Sequence, residues 1–139
     1  MTQTIRRGTY VLLLDFSSPR DIEVGSLGIL HFDPGRYCYV GSAMGGLDQR
    51  LSRHLRKEKT IRWHIDNLTV SADHREAWES YPNHIEECDL AHRAEKCGMI
   101  PVHPGFGCSD CHCRTHLFVA VGDSADRLIS SCGLDRYPG

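Results

Sequence analysis

An α+β fold is predicted by three features of this 139-residue chain. The run Tyr10-Val11-Leu12-Leu13-Leu14 is apolar without a break, as in a strand buried on both faces. Leu47, Leu51 and Leu55 recur at helical spacing and form one stripe. Short strand signals alternate with helical ones, in the manner of antiparallel strands with helices between them rather than a doubly wound repeat.

The length suits one domain over residues 1–139, and no repeat, low-complexity tract or linker divides it. With 40% hydrophobic and 24% charged residues, the composition is that of a soluble globular protein. The basic start and the short run Val11–Leu14 offer neither a bilayer-crossing segment nor a signal-cleavage pattern, so a cytoplasmic location with no membrane partner is expected. Seven cysteines, an odd number without an export signal, point to reduced thiols, metal ligands or a redox role rather than a disulfide framework.

The elements follow in order. Gly8 to Phe16 is the first strand, and Ser17-Ser18-Pro19-Arg20-Asp21 a turn. Ile22 to Phe32 is a further strand or hairpin, interrupted at Gly25 and Gly28. Asp33-Pro34-Gly35 turns the chain into the strand Tyr37 to Val40. After Gly45-Gly46, Asp48 is placed to cap a helix running to about Lys57. A shorter helix is expected over Arg62 to Leu68, with Trp63, Ile65 and Leu68 as core and surface alternation, then a strand over Glu76 to Tyr81. Pro82-Asn83 opens a third helix to about Cys97, with Asn83 and Glu86 spaced as a capping box. An irregular Cys-rich stretch, a strand from Thr115 to Val121 and a helical segment from Asp126 to Cys132 complete the chain.

Net charge is −2, which argues against a generic nucleic-acid coater. Yet residues 49–64 hold six basic residues, Arg50, Arg53, Arg56, Lys57, Lys59 and Arg62, against the single acid Glu58. Such a patch meets phosphates, or is a solvated helix face. Arg50 and His54, an i, i+4 pair, present their side chains at one place.

Phosphodiester hydrolysis needs a fixed cation for the phosphate, a carboxylate for a divalent metal, and a phenol or imidazole to orient water and relay its proton. Arg50, Glu87, Tyr10, Tyr39, His54 and His64 are residue types for those jobs. By default the tyrosines are strand aromatics, Arg50 covers apolar surface with its stem, and Glu87 is an acid favoured near a helix N-terminus.

Gly8-Thr9-Tyr10, Tyr39-Val40-Gly41-Ser42 and Leu47-x-x-Arg50-Leu51-x-x-His54 resemble the motifs of the GIY-YIG nuclease superfamily, with Thr9 and Val40 in place of isoleucine. The chain is more closely similar to a branch found in archaea and bacteria, sometimes joined to an endonuclease III domain. Arg53-His-Leu, Trp63-His-Ile-Asp, Glu87-Cys-x-Leu-Ala and Phe106-Gly-Cys-Ser-Asp-Cys-x-Cys-x-Thr-His-Leu-Phe extend that likeness, which covers residues 8–118. The resemblance implies a small, mainly antiparallel sheet flanked by helices, elaborated by an inserted hairpin between Tyr10 and Tyr39 and by a Cys-rich C-terminal loop and strand. It implies a metal-dependent DNA endonuclease, related to repair and to DNA-repair proteins as partners, with RNA open as a substrate. Tyr10 and Tyr39 would orient and deprotonate water with His54 as relay and His64 as a secondary candidate. Arg50 would hold the phosphate, and Glu87 would bind one Mg or Mn ion. Arg53, Arg56, Lys57, Lys59 and Arg62 would hold the DNA backbone. A non-catalytic nucleic-acid-binding module on the same fold is the alternative.

Cys108-x2-Cys111-x-Cys113-x2-His116, part of the likeness to that branch, is not part of the general nuclease pattern. Three thiols and an imidazole suit tetrahedral zinc, although the Cys111-x-Cys113 gap is tighter than usual. A reduced loop of packed thiols, or a thiolate nucleophile at Cys111 near His116, are the other readings.

Overall fold

The computed structural model describes residues 5–108 and 113–138. Among them the order is β1 (Gly8–Phe16), β2 (Arg20–Glu23), β3 (Ile29–Phe32), β4 (Gly35–Ala43), α1 (Leu47–Leu55), α2 (His64–Ser71), β5 (His74–Ser80), α3 (Glu87–Lys96), β6 (Ile100–Pro101), β7 (Leu117–Val119), α4 (Ser124–Cys132) and β8 (Asp135–Arg136). Six strands form one antiparallel sheet in the order β6-β7-β4-β1-β5-β8, and β2 and β3 make a separate hairpin. The fold is α+β, as its sequence predicts.

The period-2 alternation of β1 sorts its side chains onto two cores. Tyr10, Leu12, Leu14 and Phe16 pack with Leu47 and Leu51 of α1, Ile65 and Leu68 of α2, and Phe32 of the hairpin. Val11 and Leu13 face the opposite way, onto Leu90, Ala91 and Ala94 of α3 and Leu128 of α4. This double burial is why the strand's sequence is continuously apolar. The hairpin expected between the first two long strands is β2–β3, and it closes one end of the α1/α2 side.

Two local expectations are corrected. Asp48 does not cap α1, because Gly46 holds the N-cap position and the Asp48 carboxylate is bound by Arg6 at 2.6 Å. The Asn83–Glu86 capping box does not form. Ser80 organises that stretch instead, donating to the Asn83 carbonyl and accepting from the Ile85 amide, so α3 begins only at Glu87. The expected alternation of core and surface in α2 resolves with Trp63 39% exposed and Ile65 and Leu68 buried. Among the described residues, no helix is long and apolar enough to cross a membrane.

Candidate active site

The pairing register brings two tyrosines together. Tyr10 lies opposite Gly41 and Leu12 opposite Tyr39, so Tyr10 and Tyr39 are diagonal neighbours on one face, their ring centroids 6.5 Å apart. Gly41 is required there: a Cβ would sit 2.6 Å from the Tyr10 hydroxyl and 3.0 Å from the Tyr39 ring. The small residue of the second motif is thus the floor on which the first motif's phenol lies.

Helix α1 crosses this face, with Leu47 and Leu51 in the core, and sets Arg50 and His54 over the tyrosines. The Tyr10 hydroxyl and His54 Nε2 are 2.9 Å apart. Burial raises the Tyr10 phenol above its ordinary range against the opposing charge of Arg50. Burial likewise lowers the His54 imidazole to about 3, assisted by nearby Lys59. The phenol therefore stays protonated and donates to a neutral imidazole. The other ring nitrogen of His54 is 3.9 Å from Asp66 Oδ1, beyond hydrogen-bond reach. Tyr39 is half-buried, and burial raises its phenol too.

Arg50 donates to the Ser42 carbonyl at 3.1 Å, and its guanidinium lies 4.4 Å from the centroid of the Trp63 ring. Arg53 stacks on the same indole at 4.6 Å and grips Asp66 with both terminal nitrogens, at 2.7 and 2.8 Å. Asp66 also accepts the amides of Arg62 and Trp63, capping α2. This fully buried carboxylate locks α2 against α1 and fixes the indole beside Arg50.

Glu87, the first residue of α3, reaches the same place from the other layer. Its Oε2 is 3.1 Å from Nδ1 of the buried His116. Burial works to raise the Glu87 carboxyl, but the His116 and Ser42 side chains outweigh it and hold the carboxyl below the usual range. Glu87 is ionised at neutral pH. His64 packs against Phe106, their ring centroids 6.3 Å apart. The loop carrying Phe106 passes over Tyr39 at Gly107, whose φ of +73° disfavours a side chain and where a Cβ would lie only 3.1 Å from the Tyr39 ring.

Tyr10, Tyr39, Arg50, His54, His64 and Glu87 therefore line one open cleft of about 740 Å³, together with Ser42, Arg62, Trp63 and Cys88. The other basic residues divide. Arg53 is held by Asp66, and the Lys59 amine donates to the His54 carbonyl and to Thr69, with its pKa lowered by burial to about 8. Arg56, Lys57 and Arg62 are exposed.

The cysteines divide as well. Cys38 is a core thiol pushed up by burial to about 12, out of reach of nucleophilic chemistry. Cys88, Cys113 and His116 form a Cys-Cys-His group able to hold a metal, their ligand atoms all within 4.8 Å of one another. Cys111 of the expected zinc set lies outside the described residues, and Cys108 borders the cleft. Cys88, Trp63 and Asp66 are the contributors that the sequence reading missed. Asp66 had a signal, an acid three residues after the N-cap position of the helix; Cys88 had none beyond following Glu87.

The arrangement defines an α+β domain with a polar cleft that combines a guanidinium, an ionised carboxylate and a phenol–imidazole pair. The chain belongs to the family described as Domain of unknown function DUF123, whose model matches residues 9–133. No curated protein and no solved structure matches it.

Proposed function

We propose that this protein is a divalent-metal-dependent DNA endonuclease of the GIY-YIG type, acting in repair. The reading is carried by one observation: Tyr10, Tyr39, Arg50, His54 and Glu87, drawn from β1, β4, α1 and α3, line a single cleft. Core packing alone has no need of an ionised carboxylate and a guanidinium in that cleft.

Arg50, braced by the Ser42 carbonyl and the Trp63 face, binds a non-bridging oxygen of the scissile phosphate. Tyr39 positions the attacking water. Tyr10 takes that water's proton while passing its own to His54 Nε2, so no free phenolate forms in a site that disfavours one. Asp66 then faces the protonated imidazole across 3.9 Å. The water oxygen bonds to phosphorus, and the bond to one ester oxygen breaks, that oxygen taking a proton from solvent water while the proton on His54 returns to solvent through Tyr10.

Glu87 supplies one hard oxygen ligand, which suits a Mg or Mn ion held by few carboxylates together with waters and substrate phosphate. Such an ion, when bound, lowers the pKa of water and screens the developing phosphate charge. Exposed Arg56, Lys57 and Arg62 hold the flanking backbone. The test is conversion of supercoiled DNA to nicked circles by the full chain. Nicking with Mg or Mn that chelator abolishes is expected. Binding without nicking under any divalent ion would favour the accessory-module reading.

A further inference from the structure

The Cys-Cys-His group is not used by this mechanism. Cys88 is the second residue of α3, whereas Cys113 and His116 belong to the segment leading into β7. The cluster thus joins two separate elements, as tetrahedral zinc sites commonly do, rather than closing a loop upon itself.

We infer that Cys88, Cys113 and His116 bind a zinc ion that clasps the start of α3 to the segment before β7. Thiolate and imidazole ligands select zinc over magnesium or calcium, which take oxygen. Bond lengths of about 2.3 Å to sulfur and about 2.0 Å to nitrogen put S and N about 3.6 Å apart around a tetrahedral ion. Cys88 Sγ and His116 Nε2 are 3.9 Å apart. Three protein ligands are enough for a tetrahedral zinc with one further position.

His116 is fully buried and uses its two nitrogens differently. Nε2 faces the Cys88 sulfur, and Nδ1 faces Glu87 Oε2 at 3.1 Å. A carboxylate at this ion-pair distance stands where outer-shell acids stand beside the second nitrogen of metal-bound histidines. Glu87 therefore orients the zinc-bound imidazole, and the zinc in turn fixes Glu87 at the cleft. The second half of this coupling rests on the nuclease reading; the zinc site does not.

Metal analysis of the full chain, purified without chelator or added metal, tests the inference. About one zinc per chain is expected. Cys88→Ser should lose most of it, Cys97→Ser none, and Cys88→His, which restores a ligand, should regain it. Cobalt-loaded protein should show thiolate-to-cobalt absorption that weakens in both Cys88 variants, a readout that ordinary misfolding of one variant does not mimic. Zinc well below one per chain with no cobalt–thiolate band would overturn the site, as would unchanged zinc and spectrum in Cys88→Ser. Full zinc in a protein that nicks no DNA would support the clasp and sink the nuclease reading, so the two failures are separable.

Discussion

At the residue scale, the cleft rests on a buried phenol bonded to a buried imidazole. Tyr10 and His54 are 2% and 1% exposed, and each satisfies a polar atom of the other. The imidazole's depressed pKa has a consequence for stability. In the unfolded chain a histidine titrates near about 6.5, whereas folded His54 stays neutral down to about 3. As pH falls through that window the unfolded state binds a proton that the folded state refuses, so stability is lost on acidification. Between pH 6.5 and 5, where most carboxylates remain ionised, the loss from His54 amounts to about 2 kcal/mol. Exposed His31, raised by Asp21 and Asp33, works in the opposite sense, but solvent screens it. Urea unfolding at the two pH values should show the wild-type midpoint falling more than that of His54→Gln. Equal falls would mean that His54 is not the buried neutral base.

At the element scale, α1 and α2 are tied by one carboxylate. Asp66 receives both terminal nitrogens of Arg53 and two backbone amides. Removing it leaves Arg53 confined without its counter-charge, uncaps α2, and frees Trp63 from its place beside Arg50. Asp66→Ala should destabilise the fold by about 3 kcal/mol or more, measured by denaturant unfolding. A loss below about 0.5 kcal/mol would show that the pair behaves as a surface contact. The elements were also where the sequence was most and least legible. Strand β1 matches its predicted span residue for residue, because a doubly buried run leaves no ambiguity. The start of α3 was misplaced because Asn83 and Glu86 have capping-box spacing while the Ser80 hydroxyl claims the intervening backbone. The packing role of Trp63 was not legible because its cation–π partners, Arg50 and Arg53, lie on another helix. Tyr10, Tyr39, Arg50 and Glu87 could be named from short motifs. Cys88 could not, since its partner His116 is brought near only by the packing of α3 against the sheet.

At the scale of the whole molecule, the proposed nuclease reading requires a chain of net charge −2 to confine its contact with DNA to one region. Arg53 and Lys59 are tied to intramolecular partners, leaving Arg56, Lys57 and Arg62 as the exposed cations of that stretch. With Arg50 as a fourth phosphate contact, DNA affinity should therefore fall with salt with a log–log slope of about −4, and each charge removed among those three should flatten it by about one. Fluorescence anisotropy over a salt series measures this. A slope unchanged by all three removals would place the DNA elsewhere. The central claim is that these layers converge on a cleft that cuts phosphodiesters, and the most direct test separates binding from chemistry. Arg50→Ala and Glu87→Gln should each lower metal-dependent nicking by about a hundredfold or more while DNA affinity stays within a few-fold of wild type. Nicking that survives both substitutions at the wild-type rate would contradict the account.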